Sequence, residues 1–269
     1  MLPRIPTSFV RKILMNQSSK DVDIPLPPKA AALLITLEKY VLPLLYAFLA
    51  YRRFQYIQSQ FLAYYALASR HAIPSLSQGL YFADMTKQVL LFALMAFTGI
   101  TLLFNRPPAS LPDKLKHVIV PLAASYYLVL YGSADYWPVW LRTSLIPAAW
   151  RYFSAVVGVA FSIAGYSIAI WALLYLRRSF ALFVSVREVV IKGPYRYVRH
   201  PIYLGYLLDL AGLLLATCSP GMIALGAGFV VLLICRARME EDMLAEANPA
   251  YQRYFARTGF LFPRPRTGN

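Results

Sequence analysis

The chain has 269 residues, 59% of them apolar and 14% charged, with mean hydropathy +0.51. That excludes a water-soluble domain of this length, whose surface would need more polar side chains, and implies that several stretches face lipid. A formal charge of +15, from 27 Lys and Arg against 12 acids, reads in so apolar a chain as loops on the cytoplasmic side of a membrane. A nucleic-acid partner is not expected, because zinc-ligand spacings and polar basic helices are missing from the sequence.

Residues 1–31 are polar and Pro-rich, with Arg4, Arg11, Lys12, Lys20 and Lys29. They lack an apolar run followed by a small-residue cleavage site, so a removable signal peptide is not expected. Residues 32–176 form the expected N-terminal transmembrane region. Its first span runs from Leu33 to Tyr51 and stops at Arg52-Arg53. Glu38 and Lys39 lie inside it, and a pair that snorkels or satisfies itself locally is the expectation. Residues 54–87 are aromatic but dotted with Gln, which suits either an interfacial helix or one packed inside the bundle. Gln88–Phe104 and Val118–Ala134 read as further spans. Tyr136, Trp137, Trp140 and Trp150 then cluster as an aromatic belt would at a lipid–water boundary. Phe153–Leu176 is the clearest span, long enough for a core of about 30 Å.

Residues 177–269 differ in character. Six basic side chains (Arg177, Arg178, Arg187, Lys192, Arg196, Arg199) precede two apolar runs, Ile202–Ala216 and Met222–Cys235. Each run is short for a crossing, and the joint Thr217-Cys218-Ser219-Pro220-Gly221 permits a tight reversal. The expected fold is therefore an all-helical membrane bundle of four or five spans plus a C-terminal helical hairpin. Both hairpin flanks are basic, which places that face in the cytoplasm. Cys218 and Cys235 read as buried free thiols, and no metal site is expected from their surroundings.

Two stretches are too polar for anchoring alone. In the first, Gly193-Pro194 marks a sharp turn, and Pro201 suits the first position of a helix. Arg199 and His200 stand just ahead of that helix start, whose free N–H groups favour an anion such as a carboxylate. Tyr195, Tyr197 and Tyr203 supply aromatic faces able to stack a purine or to stabilise a sulfonium. In the second stretch, Arg236 and Glu240 share a helix face at i and i+4, followed by Glu241. Taken singly these residues suit positive-inside flanks or capping; closing the hairpin would bring the two sets together.

Together they read Gly193-Pro194-Tyr195-Arg-Tyr-Val-Arg199-His200-Pro201-Ile202-Tyr203 and Arg236-Ala-Arg-Met-Glu240-Glu241. This pattern resembles the isoprenylcysteine carboxyl methyltransferases and their phospholipid-methylating relatives, over about Arg178 to Arg264, with Tyr251-Gln-Arg-Tyr254 in keeping. The resemblance implies an S-adenosyl-L-methionine-dependent methyltransferase acting on a lipophilic or membrane-accessible acceptor. It implies a cofactor site built from Arg187, Glu188, Val189, Val190, Tyr195, His200, Pro201, Ile202, Tyr203, Glu240 and Glu241. Arg236 is implied to face the methyl acceptor, with Arg199 beside it as the second catalytic candidate. Members acting on prenylated cysteine commonly carry His where this chain has Arg187, so isoprenylcysteine, a small thiol and a lipid headgroup all stay open as acceptors.

Two other readings compete. A sterol-reductase-type membrane enzyme using NADPH usually continues after the hairpin with an acid, Lys-Tyr-Gly and a Trp, where this chain has Glu240-Glu241-Asp242 and then Tyr251-Gln-Arg-Tyr254. A membrane scaffold or transporter would have no need of both motif sets. Asp209, inside the first hairpin helix, is expected either to face an acceptor tunnel or to pair within the bundle. His71 and His117 are expected to be structural.

Overall fold

The computed structural model describes residues 24–69, 75–127, 136–187, 189–247 and 249–264. Its helices are α1 (Pro28–Ala68), α2 (Ser75–Leu103), α3 (Lys116–Tyr126), the short α4 (Val139–Arg142), α5 (Arg151–Leu176), α6 (Pro201–Thr217), α7 (Pro220–Ala247) and α8 (Pro249–Arg257). Among the described residues, backbone pairing outside helices amounts to isolated bridges such as Val198 with Gly259. Four segments, containing α1, α2, α5 and α7, are long and apolar enough to cross a membrane. The protein is a multi-span helical membrane protein.

The spans differ in detail from the expected ones. The first does not stop at Arg52-Arg53: α1 continues to Ala68, 41 residues in all, about 61 Å at 1.5 Å per residue. Residues 54–68 thus extend α1, and 75–87 open α2, which returns antiparallel with Tyr64 stacked on Tyr81 at 4.1 Å. Arg53 does not end the helix because it is satisfied sideways, donating to Gln88 Oε1 at 2.7 Å. The hairpin of α6 and α7 is present, but α7 has 28 residues and is no short dip. Of the expected span Val118–Ala134, the described part is α3; residues 128–134 and His71 lie outside the described residues. Cys235 is exposed on the helix surface rather than buried, and Cys218 is half-buried.

The tightest seam joins α5 to α6. A Cβ on Gly158 would stand 2.5 Å from the Gly212 carbonyl oxygen, and one on Gly205 would stand 2.6 Å from that of Gly165. Ser162, Ala169 and Ala216 fill the same stripe. Small residues let two backbones approach closely where lipid supplies no hydrophobic drive for association. Asp209 lies in this seam, near Ser162 and Tyr166.

The aromatic cluster splits. Tyr136, Trp140 and Trp150 are exposed, as a belt requires, whereas Trp137 packs where a side chain on Gly221 would stand. The belt marks the α6–α7 turn, where Leu145 N–H donates to Cys218 O at 2.8 Å. The basic loop lies at the other end of α5, about 39 Å away for 26 residues. The two ends of the bundle are therefore a belt face and a site face.

Candidate active site

The site face is built where α5 ends and α6 begins. Gly193 adopts φ +59° and opens a 3-10 turn over Gly193–Arg196. Only Gly fits, since a Cβ there would press into the Tyr175 ring at 2.6 Å. Pro201 takes the first turn of α6, and His200 caps it without a side-chain bond, which leaves the imidazole free for other partners. The C-terminal tail closes the rear: Arg199 N–H donates to Gly259 O at 2.9 Å and His200 N–H to Phe260 O at 3.2 Å. Tyr254 Oη donates to Tyr195 O at 2.6 Å.

Two carboxylates on α7 organise the side chains. Glu240 Oε1 accepts from Tyr203 Oη at 2.5 Å and from Arg236 Nε at 3.0 Å. Glu241 Oε1 lies 3.0 Å from His200 Nε2 and 2.8 Å from Arg199 Nε. His200 stacks on Tyr203 with ring centroids 5.2 Å apart, joining the two pairs. Arg199 also lies 3.5 Å over the Phe255 ring, a cation–π contact that holds its guanidinium flat. The hairpin thus brings the two polar stretches into contact, at 2.5–3.0 Å rather than by general proximity.

A cavity of about 880 Å³ opens beside this network, at the upper end of the range for small-molecule sites. Its wall includes Arg187, Val189, Val190, Tyr195, Arg199, His200, Pro201, Ile202, Tyr203, Arg236 and Glu240. Glu241 is buried behind them. Glu188 lies outside the described residues. Burial raises the Tyr195 phenol well above its ordinary value and pushes Tyr254 up to about 12, so both remain neutral faces and donors at any physiological pH.

Arg236 is far more engaged than a free acceptor-binding guanidinium. Nε is held by Glu240, Nη1 donates to Ser125 Oγ at 3.0 Å, and Nη2 donates to Leu182 O at 3.0 Å and Ala181 O at 3.4 Å. Of five N–H donors, these bonds leave one, on Nη1.

The expected local pairing of Glu38 fails. Glu38 is fully buried, and its carboxylate accepts from Leu182 N–H at 2.6 Å and lies 3.6 Å from Arg187 Nη2. Arg187 also donates to Arg106 O. The Leu182 peptide therefore links Glu38 on α1, through its N–H, to Arg236 on α7, through its carbonyl. The one sequence signal was an acid deep in an apolar run, which is costly unless partnered; its partner lies 144 residues away.

Residues 153–250 match the family model described as phospholipid methyltransferase. Over those residues, the chain is similar to the phospholipid methyltransferase family. The resemblance read from the motifs is borne out there. The chain is also 38% identical over 88 residues to the cobalt-zinc-cadmium resistance protein CzcN of Cupriavidus metallidurans, covering 31% of this chain and 41% of that protein. It is 27% identical over 139 residues to the nickel-cobalt-cadmium resistance protein NccN of Alcaligenes xylosoxydans xylosoxydans, covering 51% and 58%. The chain spans about half the length of these relatives. Among the described residues, no group of three or more His, Cys, Asp or Glu is disposed to hold a metal ion.

Proposed function

We propose that this protein transfers a methyl group from S-adenosyl-L-methionine to a lipophilic acceptor, at a site on the cytoplasmic face of its membrane (the inner membrane, if bacterial). The observation that carries the reading is the joined pair of carboxylate clusters, Tyr203–Glu240–Arg236 on the wall of one large cavity and His200–Glu241–Arg199 with its carboxylate just behind that wall. The residues fit the group. A ligand with an amino-acid head, a purine and a sulfonium needs both charge signs and aromatic faces close together. Arg187 adds buried Nε and Nη2 atoms without a hydrogen-bond partner, a donor set suited to a carboxylate.

When bound, the cofactor supplies an electrophilic sulfonium methyl. The chain's task is to hold donor and acceptor in line and keep water out. Glu240 and the Tyr203 ring would supply negative charge and a π face for the sulfonium. Arg187, Arg199 and the helix start at His200–Pro201 would hold the cofactor's anionic end, with Val189, Val190 and Ile202 as apolar wall beside them. Glu241 positions Arg199 and His200 from behind. Arg236, with one N–H to spare, orients an anionic or thiolate acceptor at the edge of Tyr203 and fixes Glu240.

The test is calorimetry of S-adenosylhomocysteine binding to purified protein in lipid nanodiscs. Saturable binding is expected, with loss in Glu240→Ala and His200→Ala while both stay folded. Absence of binding by folded wild type, with binding of NADPH in its place, would overturn the reading in favour of a reductase.

A further inference from the structure

The cavity does not end at the motif residues. It runs down between α1, α2, α5 and α6 to Arg53, Asp84, Lys87, Gln88 and Asp209, which belong to none of the motifs. Asp209 is 6% exposed. Ser162 and Tyr166 stand beside it, and its buried Oδ1 has no hydrogen-bond partner. Across the cavity, Arg53 donates to Gln88, Gln88 Nε2 to Asp84 at 3.3 Å, and Lys87 pairs with Asp84 at 2.5 Å. A polar ring thus surrounds the deep end inside four helices. Ionisable groups there are expensive and mark a ligand path rather than mere packing.

We propose that this ring is a second polar subsite, which receives a hydroxyl of the methyl acceptor through Asp209 Oδ1. The proposal rests on the methyl-transfer reading for the acceptor's identity, not for the subsite's existence. The orphan atom is an acceptor, so it calls for a donor. The formal charges of Arg53 and Lys87 balance those of Asp84 and Asp209. A ligand ammonium or carboxylate would leave one uncompensated charge in a low dielectric, whereas a hydroxyl adds none. Asp209 is six residues below Tyr203 on α6, about 9 Å at 1.5 Å per residue. Leu94, Met95 and Leu213 line the cavity with apolar surface as well. The acceptor is therefore a molecule with its reactive group at Tyr203 and Arg236, a short apolar stem, and a hydroxyl about 9 Å away.

The experiment measures binding of hexan-1-ol and of three-, six- and ten-carbon α,ω-diols to nanodisc-embedded protein, corrected for partition into empty nanodiscs, with and without S-adenosylhomocysteine. Wild type should bind the six-carbon diol roughly tenfold tighter than hexan-1-ol, the worth of one hydrogen bond to a charged group, and tighter than either other diol. Asp209→Leu should lose that preference and retain S-adenosylhomocysteine binding. Met95→Trp, which fills the passage without touching the seam, should do the same. Equal affinity for the diol and the mono-alcohol in wild type, or a preference surviving Asp209→Leu, would overturn the subsite. A diol preference without S-adenosylhomocysteine binding would sink the methyl-transfer reading and uphold the subsite; the reverse result would do the opposite.

Discussion

The two halves of this molecule use charge inside a membrane in opposite ways. In residues 177–264 the motif side chains find partners within the helix or across one hairpin: Arg236 with Glu240, His200 with Glu241, Tyr203 with Glu240. In α1 and α2 charged residues are sparse, and apart from the local pair Lys87–Asp84 the partners described are remote: Glu38 with Leu182 and Arg187, Arg53 with Gln88. Short-range partnerships leave a pattern in sequence. Long-range ones leave only an anomaly, a charge where none should be.

The sharpest way to break this comparison is at its strongest point. Glu240→Ala deprives Arg236 and Tyr203 of their shared acceptor. Methyl transfer should fall on the order of 100-fold or more in kcat/KM, since small misplacements of reacting groups cost that much. Near-normal turnover of any accepted substrate by Glu240→Ala would show that the motif pair is scaffolding.

Next comes the claim that the first half reaches into the site. Glu38→Gln removes the charge facing Arg187 and weakens the bond to Leu182 N–H. Roughly tenfold lower kcat/KM is expected, equivalent to about 1.4 kcal/mol, because the Leu182 carbonyl also holds Arg236. A structural role alone predicts lower stability with kinetics intact in the folded fraction. Combining Glu38→Gln with Arg187→Met removes both charges together, and the double variant should recover part of any lost stability, a coupling of about 0.5–3 kcal/mol, without recovering kcat/KM, because Arg187 is itself part of the binding wall.

These two substitutions also mark how far the sequence could be read. The motif residues were legible because a hairpin of Pro201–Thr217 and Pro220–Ala247 has few ways to close, and closing it sets Arg199 and His200 against Glu240 and Glu241. The reach of α1 was not legible. Arg52-Arg53 looks like a helix end by local composition, and nothing nearby reveals that Gln88 will satisfy Arg53. The α5–α6 seam was also missed, because glycines spread through two apolar runs look like ordinary membrane composition until their faces are superposed.

That seam supplies a third, smaller effect. Gly212→Ala would place a Cβ 2.5 Å from Ser162 Oγ and closer still to the Gly158 carbonyl. Helix backbone cannot yield as a side-chain tip can, so the cost is about 1–3 kcal/mol of stability, read as a lower midpoint of thermal unfolding in detergent. Because Asp209 shares the seam, the same variant should weaken diol binding more than S-adenosylhomocysteine binding. Equal losses of both would mean that the seam supports the whole site without distinction.

The smallest effect tests the two faces of one helix. Arg236 is 5% exposed, with every guanidinium nitrogen engaged, while the preceding residue, Cys235, is exposed. Successive residues on a helix lie about 100° apart, so a single step can pass from the site wall to the lipid surface. Apolar character misled the sequence reading here: in a membrane the same side chain suits the core and the lipid alike, so hydrophobicity does not separate inside from outside. Cys235→Ala should therefore change stability by no more than about 0.5 kcal/mol and leave methyl transfer unaltered, and the native thiol should react readily with a membrane-permeant maleimide. A protected thiol, or a variant that loses activity, would mean that another helix or a second copy of the chain covers this face of α7, and that the wall holding Arg236 is thicker than one helix.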